Sequence, residues 1–356
     1  MLLTLWMCVV AAPVVAQEVL AGDLRLNQVQ VIGSHNSFKL AVQPELLALM
    51  RTARPNSDDV DYSHLSLEDQ LNLGLRNLEL DVYHDPEGGR YATPLGNSLL
   101  ATAGVAAWAR PGEEELRTPG FKLLHQADFD FRSSVYAFEV ALRNLNAWSA
   151  AHPQHECVIV TMNLKCDRVA VPGSVVPGEF DSAALAALNA LILSELNGRV
   201  LTPDVVRGDA ASVREAVTSR GWPAVAACRG KYLFVLDEGG TTRERYIERF
   251  PNLEGAAYFV DVSETHPCAG VFVINDPIAS GDRIKSLVAQ GYIVRTRADA
   301  DTREARTTDF SRFEAAKASG AQVITTDYYI PDRKLSDRYV VRFEGGGFVR
   351  VNPMAK

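Results

Sequence analysis

Eight short apolar runs, several ending in polar or ionisable residues, constrain the fold of this chain more than any other feature. They are VQVIGSHN, LRNLELDVYHD, FKLLHQAD, CVIVTMNLKCD, KYLFVLDEG, AYFVDVSE, YIVRTRAD and AQVITTDYY. Helical patterns separate some of them. SLEDQLNLG reads as a helix closed by Gly74, and DSAALAALNALILSELNG carries Asp181 or Ser182 as an N-cap, with Gly198 just past its end. Strand followed by helix, repeated, predicts a parallel sheet. Eight such units predict an α/β fold of the (β/α)8 TIM-barrel type, with its reactive groups at the C-terminal ends of the strands. VFVINDP, residues 271 to 277, is a ninth strand-like run, so some irregularity is expected after the sixth strand. With 356 residues, 47% of them hydrophobic, and no internal repeat or long linker, residues 17–356 are expected to form one barrel domain.

The formal charge of −8, without a block of Lys or Arg, argues against a nucleic-acid partner, which needs a cationic surface. An anionic substrate must then be met by a local site. Residues 1–16, MLLTLWMCVVAAPVVA, carry no charge and end on a small residue before the polar QEV; they read as a signal peptide without a basic n-region, hence a secreted or periplasmic protein. Beyond Cys8, the chain holds Cys157, Cys166, Cys228 and Cys268, an even number without close zinc-type pairs, so disulfides are expected. Cys157 and Cys166 bracket one strand, and nine residues at about 3.3 Å each exceed disulfide reach. Cys157 with Cys228 and Cys166 with Cys268 are the expected pairs.

The two-residue period of a strand places Asn77, Glu79 and Asp81 on one face and Leu78 and Leu80 on the other. Facing carboxylates repel, so a metal or a guanidinium is implied between them. His35 and Asn36 end the first run and His125 ends the third, which puts two imidazoles, the side chains suited to proton transfer near neutral pH, beside the acidic pair. Oxygen ligands from Asn36, Glu79 and Asp81 suit a hard cation. Ca2+ tolerates irregular carboxamide and carboxylate cages better than Mg2+. Histidines with such an ion suggest phosphoryl chemistry. Arg295, Arg297 and Asp299 alternate onto one face of YIVRTRAD, where an arginine holds either a phosphate or a neighbouring acid. Lys165 and Asp327 end two further runs and are expected in the same pocket.

GSHNSF, RNLELDVYHD, LLHQADFDF and VIVTMNLKCD, in that order, resemble the X-region of phosphatidylinositol-specific phospholipases C, above all their secreted bacterial calcium-dependent branch. The likeness runs from about residue 28 to 168 and resumes more weakly in YIVRTRADAD and SGAQVITTDY. It implies a phospholipase C-like phosphodiesterase barrel with His35 and His125 as catalytic pair and Asn36, Glu79, Asp81 and the residue at 163 as calcium ligands. The implied reaction cleaves phosphatidylinositol-type lipids to diacylglycerol and an inositol (cyclic) phosphate. Arg295 or Arg297 then matches a substrate-binding arginine, with Lys165 and Asp327 as further substrate-binding residues. Related enzymes commonly carry glutamate where this chain has Asn163. The loss of a charge there is expected to weaken calcium binding.

A phospholipid or inositol phosphodiester substrate, peripheral contact with a membrane and a monomeric state complete the expectation. Two alternatives stay open. A glycerophosphodiesterase-like barrel shares the histidines and the E-x-D strand but favours His-Arg where this chain has His35-Asn36. A non-catalytic head-group-binding barrel would account for Asn163 but not for two histidines.

Overall fold

The computed structural model describes residues 20–355, so the segment read as a signal peptide lies outside the described residues. Ten strands form one sheet: β1 (Val29–Ser34), β2 (Asn77–Asp85), β3 (Gly120–Leu123), β4 (Val158–Leu164), β5 (Tyr232–Leu236), β6 (Tyr258–Val260), β7 (Val271–Val273), β8 (Ile293–Arg297), β9 (Val323–Thr326) and β10 (Val349–Val351). Eight of them run parallel in the order β6-β5-β4-β2-β1-β9-β8-β7. With helices flanking them, they make a nearly closed barrel of the expected type. The path leaves β6 and β7 as its two ends.

Two expectations about strands are corrected. FKLLHQAD is not a barrel strand: β3 runs antiparallel to the upper half of β2, with Val82 opposite Leu123 and Asp85 opposite Gly120. VFVINDP, the surplus run, is the missing barrel strand β7, parallel to β8. Nine residues long, β2 pairs with β4 over residues 77–82 and continues upward to carry β3. The chain therefore descends along β3 toward the barrel mouth, and His125 arrives there from above.

Local signals account for much of the framing. Ser66 caps the helix Leu67–Leu73 by accepting from the Asp69 amide, and Gly74, at φ 108°, ends it as expected. Asp181 caps Ser182–Glu195 through the Ala184 amide. At the crossing of β1 and β2, a Cβ on Gly33 would lie 2.3 Å from that of Asn77, so only glycine allows these strands to meet. At the opposite end from the mouth, β10 pairs antiparallel with Val29, Gln30 and Val31 of β1.

The disulfide expectation also fails, since Cys157, Cys166, Cys228 and Cys268 are free thiols. Cys268 precedes β7 at the entrance of the barrel, whereas Cys166 follows β4 at its exit, so these two occupy opposite ends of the barrel. Cys157 and Cys228 do sit together near strand entrances; burial pushes the Cys228 thiol up to about 11 and that of Cys157 well above the usual range. No helix among the described residues is long and apolar enough to cross a membrane.

Candidate active site

A cavity of about 160 Å3 at the C-terminal ends of the strands is lined almost wholly by polar side chains: His35, Asn36, Glu79, Asp81, His125, Asn163, Lys165, Asp237, Asn275, Arg295 and Arg297. Nine of the ten site residues expected from the sequence meet there. The exception is Asp327, whose buried side chain stands behind His35 and cannot reach a substrate directly.

β1 delivers His35 and Asn36 together because Asn36 adopts a left-handed backbone, φ 49°, which asparagine tolerates better than most residues. The Nδ1 edge of His35 faces Asp327 Oδ1 at 3.1 Å, the Tyr62 hydroxyl at 3.3 Å and Arg297 Nη2 at 3.4 Å, while Nε2 is 3.6 Å from Glu79 Oε1. His64 Nε2 donates to the His35 carbonyl at 2.7 Å and lies 3.6 Å from Asp327 Oδ1. Burial, then Arg297, holds the His35 imidazole below its ordinary pKa, against the opposing pull of Asp327 and Glu79. Burial works against the charge on Asp327, but His35, His64 and Arg297 together keep its carboxyl well below the usual range. The neighbouring Asp299, buried beside Asp327, is pushed up to about 7 and accepts from Thr326 Oγ1 and the Asp327 amide.

β2 behaves as its period requires. Glu79 and Asp81 line the cavity, and Leu78 and Leu80 enter the hydrophobic core. The implied cation between the acids takes the form of two side chains: Arg295 pairs with Glu79 and also donates to Asn275, and Lys165 Nζ is 3.2 Å from Asp81 Oδ2. Asp81 raises the Lys165 pKa above its ordinary value. Asp81 is directly opposite Asn163 across the β2–β4 ladder, and the Asn163 side chain hydrogen-bonds to Asp237 at the end of β5.

His125 is held differently. Its Nδ1 is 2.7 Å from Asp130 Oδ2, within a turn closed by mutual backbone hydrogen bonds of Gln126 and Asp130. Asp130 Oδ1 is in turn 3.3 Å from Lys39 Nζ, which donates to the Val60 and Tyr62 carbonyls at 2.8 and 2.7 Å. Lys39 and Asp130 are both fully buried. Each histidine thus has a carboxylate on one nitrogen, which fixes its ring.

Sequence reasoning missed Asp130, Lys39, Tyr62 and His64, which act through contacts no local pattern encodes. It also missed Asp237 and Asn275, although both lie just past strand-like runs, the same signal that singled out Lys165. No three His, Cys, Asp or Glu side chains among the described residues are arranged to hold a metal by themselves. With the amides included, the set Asn36, Glu79, Asp81, Asn163 and Asp237 is entirely oxygen-donating and lines one cavity, which fits a hard cation such as Ca2+. The Asn36 nitrogen donates to the Tyr62 hydroxyl at 2.7 Å, so its oxygen is the atom available to a ligand.

The fold is shared with a calcium-dependent phosphoinositol-specific phospholipase C from a Gram-negative Pseudomonas sp., at 13% identity, with a TM-score of 0.57 and coverage of 93% of this chain and 96% of that one. A Ca2+-dependent phosphatidylinositol-specific phospholipase C from Streptomyces antibioticus is similar at 17% identity, with a TM-score of 0.53 and coverage of 86% and 95%. No curated protein sequence matches this chain significantly. The profile of the family described as "Phosphoinositide phospholipase C, Ca2+-dependent" matches residues 24–353, nearly the whole chain, and the protein therefore belongs to that family of phosphodiesterases.

Proposed function

We propose that this protein is a secreted enzyme that cleaves phosphatidylinositol-type lipids to diacylglycerol and an inositol cyclic phosphate, with His35 and His125 as its acid-base pair. The observation that carries this reading is the convergence on one cavity of two carboxylate-backed histidines and the Glu79–Asp81 pair. Two imidazoles in one cavity, each with a carboxylate at Nδ1, suit a reaction that needs a proton both taken and given.

In this scheme the inositol 2-hydroxyl attacks phosphorus, a P–O bond forms to it, and the P–O bond to the glycerol oxygen breaks. His35, its Nδ1 occupied by Asp327, presents Nε2 and takes the hydroxyl proton. His125, its Nδ1 occupied by Asp130, gives the Nε2 proton to the departing alkoxide, and water restores both rings. Arg297 and Lys165 receive the phosphate oxygens and the ring hydroxyls. Ca2+ held by Asn36, Glu79, Asp81, Asn163 and Asp237 would supply positive charge to the phosphoryl oxygens and acidify a bound hydroxyl. In this set Asp237 provides the carboxylate that Asn163 lacks.

Turnover of phosphatidylinositol vesicles, with calcium or with chelator, followed by phosphorus NMR of the product, tests the reading. A cyclic phosphate that appears only with calcium is expected. Exclusive release of an acyclic monoester from the outset, or turnover of glycerophosphodiesters alone, would replace it with the glycerophosphodiesterase alternative.

A further inference from the structure

The ladder between β8 and β9 stops at the mouth of the barrel, and side chains take over from the backbone there. Its last bond runs from the Ala298 amide to the Thr325 carbonyl at 2.8 Å. The next rung of a parallel pair would join the Asp327 amide to the Ala298 carbonyl and the Ala300 amide to the Asp327 carbonyl. All of these groups bond elsewhere. The Asp327 amide donates to Asp299 Oδ1 at 2.9 Å, the Ala298 carbonyl accepts from the Tyr339 hydroxyl at 3.2 Å, and the Ala300 amide donates to Glu304 Oε2 at 2.9 Å. Asp299 is fully buried and its second oxygen is also engaged: Oδ2 accepts from Thr326 Oγ1 and lies 3.4 Å from the Tyr339 hydroxyl. Thr326 is fixed in turn, because its hydroxyl accepts from the Tyr328 amide at 2.9 Å and its carbonyl from the His35 amide at 3.3 Å.

These bonds decide where Asp327 points. Released from the regular ladder, it turns behind the first strand end, and its Oδ1 meets His35 Nδ1 at 3.1 Å. Asp299 itself lines no part of the cavity. It reaches the other neighbour of His35 through its main chain: the Asp299 carbonyl accepts from Arg297 Nε at 3.0 Å, which leaves Nη2 of that guanidinium 3.4 Å from His35 Nδ1 and 3.6 Å from Asp327 Oδ2. A second carboxyl packed beside Asp327 is an unfavourable neighbour, since burial and then the Asp327 charge oppose its ionisation. The Ala298 carbonyl stood in line for the same amide without that penalty. The exchange is therefore explained by the direction it gives Asp327 and not by the bond alone.

We infer that Asp299 is a positioning residue for the proposed phosphodiester cleavage, its carboxylate aiming Asp327 at His35. The inference rests on the role proposed for His35, but the aim of Asp327 can be read without turnover.

Proton NMR of histidine-labelled protein and kinetics on a soluble inositol phosphodiester together form the test. The Nδ1 proton of His35, held between imidazole and carboxylate, is expected as a low-field resonance that His35→Gln removes. Asp299→Ala should lose that resonance and lower kcat by about ten- to a hundred-fold, the usual loss when the partner behind a functional imidazole is disturbed. KM should change little, because the carbonyl that holds Arg297 remains. Asp299→Asn keeps an oxygen for the Asp327 amide and should restore the resonance and most of kcat. Should Asp299→Ala fail to fold, Tyr339→Phe takes its place: it keeps the volume, frees the Ala298 carbonyl to reclaim the Asp327 amide, and should weaken the resonance and kcat together. Wild-type kcat and resonance in whichever of these two variants is folded would overturn the inference. So would a fall in kcat with the resonance intact, or Asp299→Asn as impaired as Asp299→Ala. A resonance lost in Asp299→Ala, in a protein whose wild type turns over no inositol phosphodiester, would instead refute the proposed function and leave the aim of Asp327 standing.

Discussion

Asp130→Asn tests the assignment of His125 most sharply, because it keeps the volume of a fully buried side chain and removes only its charge. Two consequences separate. The first is structural: Lys39 loses the carboxylate 3.3 Å from its ammonium and remains buried with the carbonyls of Leu40, Val60 and Tyr62, and breaking a buried pair from one side costs about 3–5 kcal/mol. The second is chemical: a carboxamide can turn its NH2 toward His125 Nδ1, which makes Nδ1 an acceptor and leaves a neutral ring with its hydrogen on Nε2, without the carboxylate that stabilises the imidazolium needed for proton donation. If His125 is the general acid, the loss in turnover should approach the ~10²–10⁴-fold worth of such a group. Lys39→Met in the same background tells the effects apart. The double variant should recover part of the stability, though not all, since each carbonyl abandoned by Lys39 costs about 1–3 kcal/mol. Its turnover should remain as low as that of Asp130→Asn. Urea unfolding and kcat/KM on a soluble inositol phosphodiester measure the two axes. Asp130→Asn within two-fold of wild-type turnover would refute the reasoning, as would a folded Lys39→Met that loses as much activity as Asp130→Asn.

Three shorter expectations follow from the same geometry. His125→Ala should lower turnover ~10²–10⁴-fold without unfolding the barrel, and a substrate with a better leaving group should recover part of it; near-full activity on the natural lipid would remove His125 from the mechanism. Asn163→Glu places a second carboxylate beside Asp237 and opposite Asp81, and isothermal titration should show tighter calcium binding than wild type, whereas no binding by either protein would sink the calcium ligand set. His155, held at about 4 by burial, is neutral in the folded protein where the unfolded chain already binds a proton, so stability present above pH 6.5 should be lost as pH falls toward 4. Two to three pKa units correspond to roughly 3 kcal/mol at full effect, and His155→Gln should flatten the slope of urea stability against pH over that window.

The barrel was legible because seven of the eight apolar runs are barrel strands and their polar ends do gather at one face. What periodicity cannot carry is strand direction. FKLLHQAD and VFVINDP are equally strand-like, and only closure of the sheet decides that the second joins the barrel while the first climbs onto the extension of β2. His125 was therefore found from a wrong premise: it reaches the mouth at the end of a descending antiparallel strand. The same misplacement underlies the expected pairing of Cys268 with Cys166, because an entrance and an exit look alike until β7 is counted. Glu79 and Asp81 were visible from spacing alone, but their partners Arg295 and Lys165 came from distant strands whose register the sequence does not print. Asp327 was expected to touch substrate and instead braces His35, since a strand-end residue one position beyond the ladder can turn behind its neighbour as readily as into the cavity.

The turn after β3 shows why an antiparallel arm serves this site better than a further parallel strand would. A parallel strand presents its last inward residue at the lip and then must leave into a helix. The β3 arm instead comes down from above and turns back within the mouth, so that alternate residues serve different neighbours. Asp130 faces inward to His125 and Lys39, while Asp128 accepts from the Leu95 and Val175 amides, in the segments that carry the exposed Trp108 and Val176. Phe129 between them lines the crevice beside Trp108 and Arg132. Position of the imidazole and position of the exposed loops are thereby set by carboxylates two residues apart on one short turn. A displacement of the loops cannot occur without straining the hydrogen bonds of Asp128, and through three bonded residues it bears on the orientation of His125. His125 is in this way tied, through Asp128, to the loops that carry Trp108 and Val176.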